Sequence, residues 1–408
     1  MFIIKVGKSK KKFCEGTFSE MNIIEEATMG TIVNSLIWMI IGIIVDRMVD
    51  YMMIPRFNKW KKLRVKKQSK QLYLGKKTVD YVRQYYSDHL YNCKIKNGSV
   101  QIPYLVNDSW SKWNFDVLKN PDLLQIVNTN KCDYPINLKC IEKRKKEGKH
   151  LVDNPSLFLH SVQEKNGMIS IEAGVYSYFQ RISFVYDFER ETYRRVYGKF
   201  LKKEQIRRKY LPENIPSSSS SQNTVPLGAD VAVIIKKNGQ YLVCTHKRSE
   251  ECANYQGITM VVPSFGFGNA SKSSNPLLYS ILSEFSEELF DRKEMEEPDN
   301  YLNPEWFYQQ YEEIVDILKL QNTGEVSIRV IGGGFDVIGG FFNINMMLVV
   351  ENETISDKLF NRIHGNWETS FGTIKFIPIN SDEMENLLLN NRLSPSSAFA
   401  ISRAISLL

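Results

Sequence analysis

Residues 262–291 read VPSFGFGNASKSSNPLLYSILSEFSEELFD, a glycine-rich loop followed by a stretch with helical periodicity. Asn275 is a favourable N-cap, and Pro276 suits the first position of a helix. The apolar residues that follow recur at helical spacing and predict one buried stripe: Leu277, Leu278, Ile281, Leu282, Phe285 and Leu289. We therefore predict an amphipathic helix that begins at Pro276, and we expect the C-terminal half of the chain to pack around it.

Three carboxylates follow within this helix. Glu284, Glu287 and Glu288 stand at positions i, i+3 and i+4, so their side chains share one side of the helix. Like charges at this spacing repel each other unless a cation offsets them. Two interpretations stay open: the glutamates hold a metal ion, or they form a solvated acidic face that Arg292 partly balances.

The loop and the helix together resemble the box of the Nudix superfamily. Residues 284–288, EFSEE, match the part of the box whose glutamates hold magnesium against a nucleoside diphosphate, and residues 263–266, PSFG, resemble the family's Leu-Pro-Gly-Gly. Ser283, Phe290 and Asn275 stand where the family has arginine, glycine and glutamate. The resemblance implies the Nudix fold more strongly than hydrolysis, so no catalytic residue is assigned. It requires no cofactor, and Mg²⁺ is the ion that the glutamates would hold.

The remaining C-terminal pattern covers residues 227–408. Asn238-Gly239 joins two strand-like runs and predicts a hairpin. Further strands are expected at 258–263, 325–338, 344–351 and 373–379, and helices at 305–320, 381–390 and 394–407. This order is similar to the α/β/α sandwich of Nudix domains.

Candidate ligand-binding residues lie beside the predicted box. Residues 241–248 look like the family strand that ends at the ligand, so Lys247 and Arg248 are candidates for anion contact, with a plain surface pair as the alternative. Gly266 lies in the loop, and Phe265 and Phe267 would either stack on a base or close the core. The glycine runs at 332–334 and 339–340 would let backbone amides approach a phosphate, or serve strand bends.

The N-terminal region contains an uncharged apolar run. Residues 31–45, TIVNSLIWMIIGIIV, cover only about 22 Å of helix, whereas a hydrocarbon core is about 30 Å thick. A spanning helix must therefore continue to Ile54. A basic segment at 55–70 follows directly, as the positive-inside rule expects on the cytoplasmic side. We predict a tail at 1–30, one transmembrane helix at 31–54 and cytoplasmic domains after it. A buried or interfacial helix of a soluble protein is the alternative.

Charged residues lie near the end of this predicted span. Asp46, Arg47 and Asp50 are costly for an isolated helix in a membrane, which is a motive for self-association. They are therefore candidates for membrane assembly, and marking the headgroup boundary is the alternative.

The middle of the chain shows no catalytic motif. Residues 71–211 are interpreted as an α+β connector or oligomerisation region, and residues 212–226, with five consecutive serines, as a linker. Within the connector we expect helices at 79–90 and 190–210 and a charged loop at 143–149. We also expect β-rich runs at three places: 99–106, 168–173 and 182–187.

The charge and cysteine content of the chain limit the kinds of partner that we expect. The net charge of +7 is concentrated in separate segments, which favours a membrane surface or a local patch, and no DNA or RNA partner is expected. The six cysteines form no CxxC pair and are expected to be reduced and structural.

The predicted fold class is therefore α/β: an N-terminal transmembrane helix, an α+β connector and a C-terminal Nudix-like α/β/α sandwich. This arrangement resembles the TM-Nudix effectors of bacterial cyclic-oligonucleotide anti-phage signalling (CBASS). The resemblance implies a single-pass protein of the bacterial inner membrane that binds a cyclic oligonucleotide second messenger. It also implies that the protein forms a homo-oligomer in the lipid bilayer and causes abortive infection by disrupting the membrane.

Two other functions stay open. One is a membrane-anchored Nudix hydrolase that cleaves a nucleoside diphosphate derivative with Mg²⁺. The other is a soluble Nudix-like regulator whose apolar N-terminal helix only mediates assembly.

Overall fold

A computed structural model describes most of the chain. The described residues are 19–48, 54–96, 98–129, 134–198, 205–211, 224–268, 275–292, 304–321, 323–390 and 392–408. The chain divides into two compact units, Met1–Arg64 and Val65–Leu408.

The N-terminal unit contains a long helix, α1 (Ser19–Met48), and the start of α2 (Ile54–Leu74). Many apolar side chains of α1 are exposed, and Trp38 is 69% exposed. No helix within the described residues is both long enough and apolar enough to traverse a bilayer. The predicted span at 31–54 includes residues 49–53, which lie outside the described residues.

The second unit contains the remaining helices and all the described strands. Its helices are α3 Lys76–Tyr86, α4 Leu138–Lys146, α5 Tyr178–Tyr197, α6 Gln205–Tyr210, α7 Pro276–Phe290, α8 Pro304–Gln310, α9 Glu312–Gln321, α10 Glu353–Arg362, α11 Asp382–Leu389 and α12 Pro395–Leu407. Its strands are β1 Leu90–Ile95, β2 Gly98–Leu105, β3 Phe115–Asp116, β4 Leu124–Thr129, β5 Pro155–Lys165, β6 Met168–Ser177, β7 Val225–Lys237, β8 Gln240–Lys247, β9 Thr259–Val261, β10 Ser264–Gly266, β11 Val326–Asp336, β12 Phe341–Val350 and β13 Lys375–Pro378.

These strands form one mixed sheet, which makes the protein a mixed α/β protein. The main strand order is β1-β2-β11-β12-β7-β5-β6-β4, and β8 joins β7, β9 and β13 at the side. At the centre β7 runs parallel to β12, with Val231 opposite Met346. Both strands are almost entirely buried, as expected for parallel strands covered on two faces.

The sheet passes through the predicted connector and the predicted C-terminal module without interruption. β2 pairs with β11, and β5 pairs with β7. One continuous hydrophobic core contains residues of both regions, including Phe158, Phe184 and Phe342. Most of the predicted linker, residues 212–223, lies outside the described residues.

The helix predicted from Pro276 is confirmed as α7. The Asn275 side chain accepts a hydrogen bond from the Leu278 amide at 3.1 Å, as an N-cap does. All six residues of the predicted apolar stripe are buried. The helix ends at Phe290, and the C-cap residue Asp291, with a φ of 52°, supplies the left-handed turn.

The predicted hairpin is confirmed as well. Lys237 pairs with Gln240, and Asn238 and Gly239 have φ values of 50° and 74°. Two positive φ angles are what a type I′ turn requires.

Two predictions in the middle region are wrong. Residues 182–187 are not a strand but belong to α5, because Ser177 and Gln180 form a capping box that starts a helix there. Residues 143–146 of the predicted charged loop form the last turn of α4, whose N-cap is Asn137. Helix α10 was not predicted.

The glycine run at 332–334 serves packing between elements. A Cβ added at Gly332 would lie 2.7 Å from the Phe399 ring, and one at Gly334 would lie 2.7 Å from the Leu105 carbonyl oxygen. These glycines therefore allow close packing of side chains and strands, which favours the steric interpretation of the run.

The described cysteines agree with the expectation of reduced, structural thiols. Cys93, Cys140, Cys244 and Cys252 are buried and unpaired.

Candidate functional site

A cavity of about 600 Å³ lies within the second unit. Its wall combines α5, β10, α7 and residues 366–368. A volume of this size is typical of sites for small-molecule ligands.

Arg181, in the first turn of α5, is the most unusual group in this wall. The residue is only 9% exposed, and its Nη1 donates to the Leu227 carbonyl at 3.0 Å. Its guanidinium lies 5.2 Å from the centre of the Phe341 ring. Within the described residues no ion pair joins Arg181 to a carboxylate.

Burial, together with the charge of Arg248, lowers the pKa of Arg181 to about 10, although Tyr178, Glu284 and Glu368 act in the opposite direction. The side chain therefore stays charged at neutral pH. Within the described residues this buried cation has no ion pair, and a ligand that supplies negative charge would lower the cost of burying it. Arg181 is therefore the group in this wall best suited to contact an anion.

The two candidates for anion contact at the end of β8 have different surroundings. Arg248 lines the cavity and forms an ion pair with Glu368 at 2.8 Å, while its buried Nε has no hydrogen-bond partner among the residues that the structure describes. Lys247 is exposed, and its backbone amide donates to Thr373 Oγ1 at 3.1 Å. Arg248 therefore belongs to the cavity wall, and Lys247 belongs to the surface.

The three candidates in the glycine-rich loop also differ in whether they line the cavity. Phe265 and Gly266 line the cavity, whereas Phe267 is 3% exposed and belongs to the core. A Cβ at Gly266 would lie 2.1 Å from Arg181 Nη1, so glycine is needed for the guanidinium to reach the loop. Phe267 therefore closes the core, and Gly266 makes room for the buried cation.

The three glutamates of α7 all line the cavity but have different environments. Glu284 and Glu287 are half-buried, and Glu287 Oε1 accepts a hydrogen bond from Ser283 Oγ at 2.8 Å. Glu288 is 2% exposed and accepts hydrogen bonds from the Ser264 amide at 3.1 and 3.4 Å. The predicted solvated acidic face therefore does not include Glu288.

Burial raises the pKa of Glu288 well above its usual range, and the charge of Glu368 adds to this effect while Arg248 opposes it. The predicted balancing cation, Arg292, instead binds Glu313, with Nε 2.8 Å from Oε1. Arg248, rather than Arg292, is the cation that favours the ionised form of Glu288.

The glutamates do not form a metal-ligand set in the structure as described. No group of three His, Cys, Asp or Glu side chains among the described residues has the geometry to hold an ion. Both oxygens of Glu288 face the Ser264 amide, and Glu287 is bonded to Ser283. Metal binding by these glutamates therefore stays a prediction.

Two further carboxylates at the cavity are fully satisfied by neutral donors. Asp230 accepts hydrogen bonds from Ser264 Oγ and Ser397 Oγ. Asp336 accepts from the amides of Ile338 and Gly339. Burial raises the pKa of Asp230, and raises that of Asp336 to about 6. The raised pKa values reduce the negative charge that these groups present to a ligand.

Aromatic rings complete the wall. His150 and Trp367 line the cavity with ring centroids 4.7 Å apart, and Trp367 is 42% exposed. Tyr178 lies three residues before Arg181, at the start of α5, and also lines the cavity. Flat rings of this kind stack on nucleobases.

Arg181 was missed by the sequence analysis. Its signal was the pattern Ser177-x-x-Gln180, a capping box that places the following arginine near the start of a helix. Residues 182–187, directly after this pattern, were interpreted as a strand, so no helix start was considered. The contact with Gly266 joins segments far apart in the sequence and was not predictable.

The membrane-assembly candidates are only partly described. Arg47 is exposed in the last turn of α1. Asp46 belongs to the same helix, and Asp50 lies outside the described residues.

The fold and the cavity together define a mixed α/β protein with a ligand-sized pocket lined by arginines, carboxylates and aromatic rings. Neither the scan against protein-family models nor the search of curated proteins finds a match to this chain.

Proposed function

We propose that the cavity binds a nucleotide with phosphate groups, and that the protein is the effector of a cyclic-oligonucleotide anti-phage system. The buried guanidinium of Arg181 carries this proposal. It faces a cavity of about 600 Å³ and forms no ion pair with a carboxylate within the described residues. A phosphate would provide the missing charge, and planar guanidinium groups bind phosphate through paired hydrogen bonds.

The other groups of the wall support a nucleotide over a simple anion. Tyr178, Phe265 and Trp367 offer rings for base stacking, and Arg248 adds a second guanidinium. Glu284 and Glu287 add acceptors for base or sugar donors. A ligand with two bases and two phosphates uses all of these features.

The exposed apolar side chains of α1 support the output side of the proposal. They include Leu36, Ile37, Trp38, Ile40 and Ile44, each at least 47% exposed. In the proposed mechanism, ligand binding favours self-association of these helices in the inner membrane and disrupts it. A ligand shifts such an equilibrium only by its difference in affinity for the two states.

The proposal assigns Glu288 a structural role. Its carboxylate holds the Ser264 amide of the loop before α7 and has a raised pKa. A carboxylate that holds the loop backbone and is more readily protonated suits a residue that shapes the pocket wall.

Binding to the purified full-length chain in detergent tests the proposal. We expect cyclic di-AMP, cyclic di-GMP or cyclic GMP–AMP to bind by calorimetry, and Arg181→Gln to weaken that binding at least about 10-fold. The matched control is Arg403→Gln, because Arg403 also donates to a backbone carbonyl, that of Ile331 at 3.4 Å, but does not line the cavity.

The same samples distinguish the proposed sensor from the alternative, a Nudix hydrolase. Rapid cleavage of nucleoside diphosphate derivatives with Mg²⁺, lost in Glu287→Gln, together with no binding of any cyclic nucleotide, would replace the sensor by a hydrolase.

A further inference from the structure

Two stacked tyrosines connect the cavity with helix α2. Tyr255 lines both the large cavity and a second cavity of about 230 Å³. Tyr73, in the last turn of α2, also lines the second cavity. The two rings stack with centroids 4.1 Å apart and planes 28° from parallel. Tyr255 thus contacts α2 directly from the wall of the large cavity.

Each tyrosine is held by a buried or half-buried carboxylate. The Tyr255 hydroxyl donates to Asp336, which lines the large cavity. The Tyr73 hydroxyl donates to Glu189 of α5, and Glu189 forms an ion pair with Arg144 at 3.0 Å. A continuous chain of contacts thus runs from the cavity wall to three helices: α2, α4 and α5.

The backbone of Tyr255 is strained. Its φ of 53° lies in the left-handed region, which costs about 1–3 kcal/mol for a residue other than glycine. A Cβ at Gly339 would lie 2.2 Å from the Tyr255 hydroxyl oxygen, so the ring is confined from that side as well. Strained, confined residues of this kind often belong to segments with two discrete arrangements.

We infer that the Tyr73–Tyr255 stack couples occupation of the large cavity to the C-terminal end of α2. The inference rests on the proposed function, because it needs a nucleotide in that cavity. The ligand contacts Tyr255 or Asp336, the stack transfers the displacement to Tyr73, and the last turn of α2 changes its packing. In sequence, α2 follows the apolar helix α1, so this contact gives the binding site a route to the proposed output.

Hydrogen–deuterium exchange of the full-length chain in detergent tests the coupling. With saturating cyclic di-AMP or cyclic di-GMP, whichever binds, we expect the exchange rates of amides 68–74 to change at least about fivefold. In Tyr73→Leu the ligand still binds, because Tyr73 is not part of the large-cavity wall, but the change falls below about twofold.

The control is Tyr241→Leu. Tyr241 is half-buried, and its hydroxyl also donates to a glutamate, Glu351, at 2.7 Å, but it lines neither cavity. The ligand-dependent change at 68–74 persists in this control. Binding without any change at 68–74 in the wild-type chain, or an unaltered change in Tyr73→Leu, overturns the coupling.

A second measurement keeps the inference testable if no cyclic nucleotide binds, a result that would count against the proposed function. Tyr73→Leu and Asp336→Asn are combined in a double-mutant cycle of unfolding. Coupling through Tyr255 makes the combined change in the unfolding equilibrium constant differ by more than about threefold from the product of the single changes. Agreement with that product overturns the coupling independently of any ligand.

Discussion

At the scale of single residues, burial determines which charged side chains act in the cavity. Lys247 and Arg248 are adjacent in the sequence, yet only Arg248 lines the cavity. Side chains alternate along a strand, so the sequence alone predicts that these two neighbours point to opposite faces. It does not show which of the two faces borders the cavity. Arg181 needed the tertiary fold, because its environment comes from Gly266 and Leu227.

The first prediction concerns the cost to folding stability of burying the Arg181 guanidinium. Replacing it by methionine removes a buried cation without an ion-pair partner in the described residues, while a hydrogen bond to the Leu227 carbonyl is lost. We expect the free energy of unfolding of the ligand-free chain to stay unchanged or to rise by up to about 2 kcal/mol. Nucleotide binding is lost in the same variant.

Chemical denaturation followed by fluorescence measures this effect, with Arg403→Met as the control. If Arg181→Met alone lowers the free energy of unfolding by more than about 2 kcal/mol, the guanidinium stabilises the ligand-free fold, which contradicts the prediction.

The second prediction concerns Asp336, whose pKa burial raises from 3.8 to about 6. The folded state therefore binds this proton more tightly than the unfolded chain. The resulting stabilisation is fully present below about pH 4 and is lost as the pH rises through about 6. The difference in pKa corresponds to about 3 kcal/mol.

Asp336→Asn cannot ionise, so its free energy of unfolding should gain about 3 kcal/mol relative to wild type between about pH 4 and pH 7. Denaturation at several pH values measures the difference, and the exposed residue Asp357, changed to Asn, is the control. Parallel pH curves for wild type and Asp336→Asn would contradict the raised pKa.

At the scale of elements, strong local signals predicted well and ambiguous runs did not. The N-cap and apolar stripe of α7 and the Asn-Gly turn between β7 and β8 specify their elements by local chemistry alone. Residues 182–187, rich in β-branched and aromatic side chains, favour a strand locally, but the capping box and packing against the core select helix α5. Tertiary contacts thus overrode local propensity.

The third prediction concerns strand β11. A Cβ at Gly334 would lie 2.7 Å from the Leu105 carbonyl oxygen and 2.7 Å from the Tyr104 ring, so a neighbouring backbone would have to move. We expect Gly334→Ala to lower the free energy of unfolding by about 1–3 kcal/mol. In Gly268→Ala the nearest atom is at an ordinary 3.6 Å, and a change below about 0.5 kcal/mol is expected. Thermal denaturation compares the two, and equal effects would rule out the steric role of Gly334.

At the scale of the whole molecule, the sequence suggested separate regions where the structure has one core. The serine-rich composition of 212–226 indicated a boundary, but composition describes only the segment itself. Strand pairing between distant segments, such as Phe158 with Pro226, is not visible in local patterns. The cavity wall is built from both regions. Residues 150–185 supply Arg181 and Tyr178, and the C-terminal region supplies Arg248 and the α7 glutamates.

The last prediction follows from this shared core. Residues 224–408 alone lack β2 and β5, which pair with β11 and β7, and they expose core residues that contact Phe158 and Phe184. Each large apolar side chain that loses its partners costs about 1.5–3 kcal/mol, and a typical domain has only about 5–15 kcal/mol of stability. We therefore expect 224–408 to be unfolded or aggregated, whereas 65–408 unfolds in a single cooperative transition. Circular dichroism and calorimetry of the two fragments make the comparison. A folded 224–408 fragment that binds a cyclic nucleotide would mean that the region before it is dispensable for the site, and Arg181 could then not be the anion-binding group.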